Sequence, residues 1–163
     1  MKVFIATDHT GFILKNTLVE YLRDVLLYEV EDLGAHELAP EDDYPDLIQP
    51  CAKAVAENKE ALGIILGGSG QGEAMAANRM HGARAAVFYG QGRATAAIDA
   101  EGAPALDGFD IVRLAREHND ANMLSLAARF VTEDDAKEAV RIFLETPFTG
   151  AERHMRRIQK LDH

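Results

Sequence analysis

Short apolar runs alternate along this chain with longer segments whose apolar residues recur at helical spacing, and no other feature restricts the fold as strongly. After the first run, for example, Leu14, Leu18 and Leu22 fall on one helical face. Strands that are apolar along their length and alternate with helices are typical of a parallel sheet covered on both faces. The predicted strands are residues 3–6, 28–32, 62–66, 84–88 and 123–128.

The predicted architecture is therefore a doubly wound, Rossmann-like α/β fold with a five-stranded parallel sheet, helices on both faces and a C-terminal helix. A chain of 163 residues has about the length of one domain, so we expect a single domain over residues 1–163. Residues 90–110 are rich in alanine and glycine and exceed the usual strand-to-helix connection of about two to six residues. We interpret them as an insertion within that domain.

Composition excludes several classes of partner. The chain carries 17 Lys and Arg against 27 Asp and Glu, a net charge of −10 that repels nucleic acid and anionic lipid. No uncharged apolar run approaches the roughly 18 residues of a membrane span, and the N-terminus lacks the pattern of an export signal. The single cysteine, Cys51, excludes an internal disulfide and a multi-thiolate metal site. We expect a cytoplasmic protein without nucleic-acid or membrane partners.

The most informative local feature is the loop GGSGQGE, residues 67–73, between the third predicted strand and the next helix. Its glycines let backbone N–H groups approach an anion, and the carboxyl end of a strand is the usual ligand crevice of open α/β sheets. Three known motifs do not fit: a dinucleotide fingerprint needs glycine at Glu73, a nucleophile elbow needs glycine at Gln71, and a P-loop ends in Lys-Ser/Thr. A functional loop is favoured over a flexible connection selected for packing.

Other polar residues at element ends have both a structural and a functional interpretation. Asp8 and His9 follow the first strand at the same sheet edge as the loop, where Asp8 suits a helix cap as well as catalysis. His118 stands near the end of a helix, a position that the helix dipole favours for any histidine. Tyr44 with the proline after it is by itself a turn. The spacing of the six histidines matches no metal motif, so we expect no metal.

A basic segment lies near the C-terminus. Arg153 and Arg157 are four residues apart and His154 adjoins them, a spacing that suits a phosphate clamp. Such runs are commonly solvated helix faces. Residues 150–163 nevertheless carry a net charge of +2 while the rest of the chain carries −12, and this contrast favours an anion site.

Taken together, these segments resemble the ribose-5-phosphate isomerase B family, which includes the subunits of galactose-6-phosphate isomerase. The resemblance covers nearly the whole chain except residues 90–110, and several separate motifs occur in the right order. The matching segments are residues 8–12, 43–46, 63–73, 76–78, 115–122 and 153–157.

The resemblance implies an aldose-ketose isomerase that interconverts ribose 5-phosphate and ribulose 5-phosphate without metal or organic cofactor. The family moves a proton between C1 and C2 through a cis-enediolate. Many members have a cysteine base where this chain has Gly67, and the chain resembles the subgroup that has glutamate at Glu73, which would then be the base. Ser69 would relay a proton between the sugar oxygens. The groups implied to hold the enediolate oxygen are Asn119 and the backbone N–H groups of residues 68–72, among them Gly68, Gly70 and Gly72.

The resemblance also implies roles for residues outside the loop. His118 would assist opening of the sugar ring, Asp8 would order sugar hydroxyls, and Tyr44 would line the sugar pocket. Family members are dimers or dimers of dimers with sites built from two subunits, so the C-terminal arginines would serve the partner's site. The residues that match the family's phosphate ligands are His9, Arg129, Arg153, His154 and Arg157.

Elementary electrostatics agrees with a base in this loop. A helix N-terminus would keep Glu73 ionised and ready to accept a proton, and the same N–H groups would stabilise negative charge that develops in the transition state. Two alternatives remain at this point. An isomerase of a six-carbon sugar phosphate, allose 6-phosphate or galactose 6-phosphate, needs a longer pocket but the same chemistry. A phosphosugar-binding module without catalysis would explain the missing family cysteine.

Overall fold

The computed structural model describes residues 1–161 and forms a five-stranded parallel sheet with the strand order β2-β1-β3-β5-β4. This is the predicted doubly wound α/β fold; the last two residues of the predicted domain, 162 and 163, lie outside the described part. The strands are β1 (Lys2–Thr7), β2 (Glu29–Asp32), β3 (Leu62–Gly67), β4 (Ala85–Phe88) and β5 (Met123–Ala127). The helices are α1 (Phe12–Glu20), α2 (Tyr44–Glu57), α3 (Gln71–Ala77), α4 (Asp110–Asn119), α5 (Glu133–Glu145) and α6 (Glu152–Ile158).

Two short helical turns flank α1 and were not predicted as such. A 3-10 turn, His9–Gly11, joins β1 to α1, and a π-helical turn, Tyr21–Val25, continues α1. The predicted helix from residue 14 to residue 25 is therefore divided. The spacing of apolar residues could not reveal this division, because Leu22 stays fully buried in the wider turn.

The sheet separates two hydrophobic cores, because successive side chains of a strand point to opposite faces. Val3 and Ile5 of β1 pack with α1, α4 and α5 on one face. Phe4 and Ala6 of the same strand pack with α2 and α3 on the other. Cys51 of α2 is fully buried in the second core, as its place on an apolar helix face predicts.

The two edge strands are less apolar than the sequence analysis expected of every strand. In β2, Glu29 and Glu31 are exposed while Val30 is half-buried, and in β4 only Phe88 is buried. Helices cover the faces of a parallel sheet less completely at its edges, so the side chains of an edge strand can alternate between core and solvent. Among residues 1–161, no helix has the length and apolar character that a membrane crossing requires.

The segment between β4 and α4, residues 89–109, contains neither helix nor strand in the described chain. It is nevertheless tied down at its base: Gly92 N–H donates to the Gly108 carbonyl over 3.0 Å, and the Phe109 ring stacks on Phe88 with centroids 5.5 Å apart. The long irregular connection is thus present where the sequence predicts it. Its description as an insertion in a single domain remains a prediction.

Candidate active site

The sheet topology creates a crevice where β1 and β3 end side by side. From β1 the chain turns to β2, and from β3 it turns the opposite way toward β4, so the helices after these two strands cover opposite faces. Ligands of open α/β sheets bind at such a switch point, outside the carboxyl ends of the strands. Asp8 and His9 follow β1 here, and the glycine-rich loop follows β3.

The glycine-rich loop is held against the end of β5. Buried Ser125 donates its Oγ–H to the Gly70 carbonyl over 2.6 Å, and Arg129 N–H donates to the Gly68 carbonyl over 3.2 Å. Gly70 has a φ of +70°, a left-handed conformation that favours glycine, and it stands immediately before α3. Ser69 Oγ, at the partly exposed tip, accepts a long 3.4 Å bond from Gln71 N–H. The loop therefore has a defined shape.

The carboxylate of Glu73 occupies the space in front of Gly67. Glu73 begins the buried face of α3 and is only 4% exposed. A Cβ atom added at Gly67 would overlap the carboxyl group of Glu73. The glycine at residue 67 and the carboxylate of residue 73 are thus sterically linked, since only a residue without a side chain leaves room for the carboxylate there.

Burial dominates the protonation of Glu73. Removal from water raises the pKa of this carboxyl above its ordinary value, the nearby Asp8 charge raises it further, and a bond from its own backbone N–H opposes both. The sequence analysis expected the helix N-terminus to keep Glu73 ionised. Burial opposes that effect, and the sequence alone did not show how deeply the side chain is enclosed.

Hydrogen bonds hold Asp8 and His9 in place. Asp8 Oδ1 accepts from Thr10 N–H over 2.9 Å, so the predicted capping role of Asp8 is confirmed, although it caps a 3-10 turn. His9 Nδ1 lies 2.5 Å from Asp42 Oδ1, and His9 N–H donates to Asp42 Oδ2 over 3.0 Å. The bond to Asp42 raises the pKa of His9, which favours the imidazolium.

Tyr44 and Arg129 border the same loop. The Tyr44 ring lies against Gly72 so closely that a Cβ there would meet its Cζ at 2.9 Å. The Arg129 guanidinium lies over Gly68, where a Cβ would meet it at 3.4 Å, and its charge also reaches His9. We call the residues gathered here the loop cluster. It consists of Asp8, His9, Tyr44, Gly67, Gly68, Ser69, Gly70, Gly72, Glu73 and Arg129.

The remaining predicted site residues lie at the opposite edge of the sheet. Asn119 ends α4 just before β5 begins, and its carbonyl accepts a 3.2 Å bond from Arg84, which precedes β4. A strand of five residues is about 16 Å long, so this edge is far from the loop cluster of the same chain. His118 belongs to the same last turn of α4.

Helix α6 packs beside this turn. The His154 ring stacks on His118 with centroids 4.3 Å apart and planes 13° apart. Arg153 forms a fork with Glu101 of the 89–109 segment, with N···O distances of 3.0 and 3.2 Å, while Arg157 is exposed. We call this group the helix cluster. It consists of His118, Asn119, Arg153, His154 and Arg157.

Comparison with known proteins gives one consistent relationship. Residues 3–106 and 103–161 match the family model described as Ribose/Galactose Isomerase. The chain belongs to this isomerase family. It is 37% identical over 161 residues to "Ribose-5-phosphate isomerase B" of Mycobacterium tuberculosis, covering 99% of this chain and 88% of that protein.

Solved structures of family members superpose on the fold. The structure of ribose-5-phosphate isomerase B from Mycoplasma genitalium with bound ribulose-5-phosphate matches with a TM-score of 0.83 and 36% identity, covering 99% of this chain and 93% of that one. The enzyme from Thermotoga maritima matches with a TM-score of 0.82 and 38% identity, covering 99% and 97%.

Within this family fold, sequence reasoning missed two residues that support the loop cluster. Asp42 holds His9, but it stands in a loop with several other acidic residues, and nothing in the sequence distinguishes it. Ser125 holds Gly70, and the signal was present: it is the only polar residue in the apolar strand β5.

Two further groups of the described chain are limited in the chemistry that they can perform. Among the described residues, Asp8, His9 and Asp42 have potential metal-ligand atoms within 4.8 Å of one another. His9 Nδ1 is already occupied by its hydrogen bond with Asp42. The thiol of Cys51 lies in the core beneath α2, and burial raises its pKa far above the ordinary value. Such a thiol does not form the thiolate that base or nucleophilic chemistry requires.

Proposed function

We propose that this chain is an aldose-ketose isomerase that interconverts ribose 5-phosphate and ribulose 5-phosphate, with Glu73 as the base. The observation that carries the proposal is the carboxylate of Glu73, buried at the mouth of the crevice in the space that Gly67 leaves open. The names of the relatives and the ribulose-5-phosphate bound to the Mycoplasma genitalium enzyme support the substrate.

The chemistry begins with the open-chain sugar in the crevice. Glu73 removes the proton from C2 of the aldose, and electrons move to the C1 carbonyl to form the enediolate. The same carboxyl group then returns the proton to C1, while Ser69 carries a proton between the two oxygens. A raised pKa makes a carboxylate a stronger base, which suits the weakly acidic C–H group.

Backbone N–H groups of the loop stabilise the enediolate oxygen. Because Gly68, Gly70 and Gly72 have no side chains, the substrate can approach the backbone of the loop closely. N–H groups fixed before the reaction stabilise charge that forms only in the transition state, and removing one such donor typically costs about 10²- to 10³-fold in kcat. The hydrogen bond from Ser125 to Gly70 keeps this loop in place.

The substrate phosphate would bind to cations from both clusters. His9, whose pKa Asp42 raises, and Arg129 stand beside the loop in the same chain. Arg153 and Arg157 belong to the helix cluster, which packs beside the last turn of α4 at the other edge of the sheet. We therefore propose that two copies of the chain form a dimer in which the helix cluster of one copy completes the loop cluster of the other.

Mixing two inactive variants tests this arrangement. Glu73→Gln disables the loop cluster and Arg157→Ala disables the helix cluster, so a mixed dimer retains one intact site. Random pairing of equal amounts makes about half of the dimers mixed, and activity should recover to about one quarter of wild type. Glu73→Gln mixed with Ser69→Ala is the matched control, since both changes lie in the loop cluster and no intact site can form.

The outcomes separate the parts of the proposal. Recovery in the first mixture but not in the control supports shared sites. No recovery in verified mixed dimers would mean that each chain completes its own site. Wild-type protein that fails to convert ribose 5-phosphate, while converting allose 6-phosphate or galactose 6-phosphate, would keep the chemistry and contradict the proposed substrate.

A further inference from the structure

The rings of His118 and His154 stack on each other, and His154 is more buried than the arginines of the helix cluster. His118 is half-buried in the last turn of α4, whereas His154 is 4% exposed on α6. The rings are nearly parallel, with planes 13° apart and centroids 4.3 Å apart. Contact over a whole ring face restricts rotation of both side chains.

His154 also lacks the features of a phosphate ligand. Its Nε2 is buried and has no hydrogen-bond partner among residues 1–161. Burial lowers the pKa of His154, and the neighbouring His118, Arg153 and Arg157 lower it further, opposed only by Glu101. These effects favour the neutral ring, whereas an anion is best bound by a charged donor.

We propose that His154 is a positioning residue that holds the imidazole of His118 in the orientation needed to open the sugar ring. The inference rests on the proposed function, because it takes His118 as the ring-opening group. It gives His154 a different role from the phosphate binding that the family resemblance implies.

The location of His118 explains the need for such support. Its helix ends at once in Asp120, whose φ of +44° lies in the left-handed region, so His118 lies at the very end of the helix. In the proposed dimer His118 must also act on a sugar bound to the other copy. Misplacement of a reacting group by about 1 Å can cost on the order of 10²-fold in rate.

Two reactions of the whole enzyme separate ring opening from proton abstraction. Conversion of ribose 5-phosphate needs both steps, because this aldose is mainly cyclic. Ribulose 5-phosphate is open-chain, since its C5 hydroxyl carries the phosphate, so exchange of its C1 proton with D₂O needs Glu73 but no ring opening. The exchange is followed by proton NMR and the conversion by initial rates.

The variants are His154→Ala, which removes the ring, and His154→Phe, which keeps a flat ring without nitrogens. His154→Ala should lower kcat for ribose 5-phosphate by about 10- to 100-fold and leave C1 exchange within about threefold of wild type. His154→Phe should keep both rates within about threefold. His81→Ala, at an exposed histidine outside both clusters, is the matched control and should change neither rate.

Three results would overturn the inference. A raised KM with unchanged kcat in both variants would make His154 a phosphate ligand. An equal loss of conversion and C1 exchange in His154→Ala would mean that the substitution disturbs the whole site. A failure of His154→Phe to restore the conversion rate would show that the ring nitrogens, and not the stacked plane, are required. Wild-type protein that shows neither reaction would instead overturn the proposed function itself.

Discussion

At the scale of single residues, Gly67 and Glu73 behave as one unit. The carboxylate fills the volume that any side chain at residue 67 would need. A base can therefore be supplied from residue 67 or from residue 73, but the two side chains cannot occupy this volume together. The Glu73 carboxylate, the proposed base, can therefore occupy its observed position only because residue 67 is glycine.

Gly67→Ala tests this unit directly. The new methyl group would displace the Glu73 carboxylate, and loss of a positioned base typically costs about 10²- to 10⁴-fold in rate. We expect kcat to fall within that range while the folded state persists, because the carboxyl group can swing toward the crevice. Gly92→Ala is the control, since a Cβ there meets no atom within 4 Å. Similar kcat values for the two variants would contradict the steric link.

The charge of Asp8 should be visible in the pH profile of kcat/KM. With Glu73 as the proposed base, the rate should decline as the pH falls through the pKa of that carboxyl, which burial and Asp8 raise. Asp8→Asn removes the charge and keeps an oxygen for the Thr10 cap. The acidic limb should therefore move to lower pH, whatever happens to the maximal rate. The exposed Asp24→Asn should leave the limb in place, and an upward shift in Asp8→Asn would refute the assignment.

Prediction from sequence succeeded for residues whose place follows from strand ends. Asp8, His9 and the loop at residues 67–73 follow β1 and β3, and parallel strands bring such residues to one edge. It could not find Asp42, because the pairing with His9 depends on the path of an irregular acidic loop. It also did not include the effect of burial on the pKa of Glu73, since enclosure of a side chain is a property of the assembled fold.

At the scale of elements, the segment over residues 89–109 connects parts of the protein that the sheet keeps apart. It leaves β4 at the carboxyl edge, where Gln91 Nε2 donates to Asp135 Oδ1 over 2.7 Å. Farther along, Glu101 reaches Arg153 of the helix cluster. A carboxylate thus occupies the guanidinium fork that a phosphate would use.

Release of this fork should strengthen substrate binding. An exposed ion pair contributes about 0.2 to 1 kcal/mol, so Glu101→Gln should lower KM for ribose 5-phosphate by roughly 1.4- to 5-fold with little change in kcat. Glu145→Gln is a matched control, because it removes the exposed partner of Arg141, outside both clusters. An unchanged or increased KM in Glu101→Gln would mean that Glu101 does not compete with the phosphate.

The order of elements was predictable, and their irregular parts were not. All five strands occur where apolar runs predict them, within two residues at each end. The π-helical turn at Tyr21–Val25 escaped notice because it keeps Leu22 buried, although Val25, which the helical spacing places on the same face, is exposed. The separation of His118 from the loop was implicit in the predicted order, since a helix that precedes a parallel strand ends at the opposite edge from the loops that follow strands.

At the scale of the whole molecule, exposed aromatic residues adjoin the loop cluster. Phe130 follows Arg129 at the end of β5 and is 68% exposed, and Tyr89 at the end of the adjacent β4 is 51% exposed. A contact surface between subunits can bury such exposed apolar side chains. In the proposed dimer this is the edge that receives the helix cluster of the second copy.

Phe130→Asp should therefore weaken both association and activity. Burial of a phenylalanine side chain contributes about 1.5 to 3 kcal/mol, so the dissociation constant should rise by at least about tenfold. Sedimentation velocity over a dilution series measures the association, and Val25→Asp, at an exposed valine beyond the end of α1, is the control. A dimer of unchanged affinity in Phe130→Asp would place the contact elsewhere.

The placement of the two clusters at opposite edges also has a kinetic consequence for the cell. In the proposed dimer, a chain on its own would hold two incomplete halves, and each encounter of two chains would complete both sites at once. Where free chains predominate, the catalytic rate grows with the square of the amount of protein made, whereas above the dissociation constant it grows in proportion. The metabolic flux would thus show a threshold in expression level, with little turnover until the concentration of chains approaches the dissociation constant of the dimer.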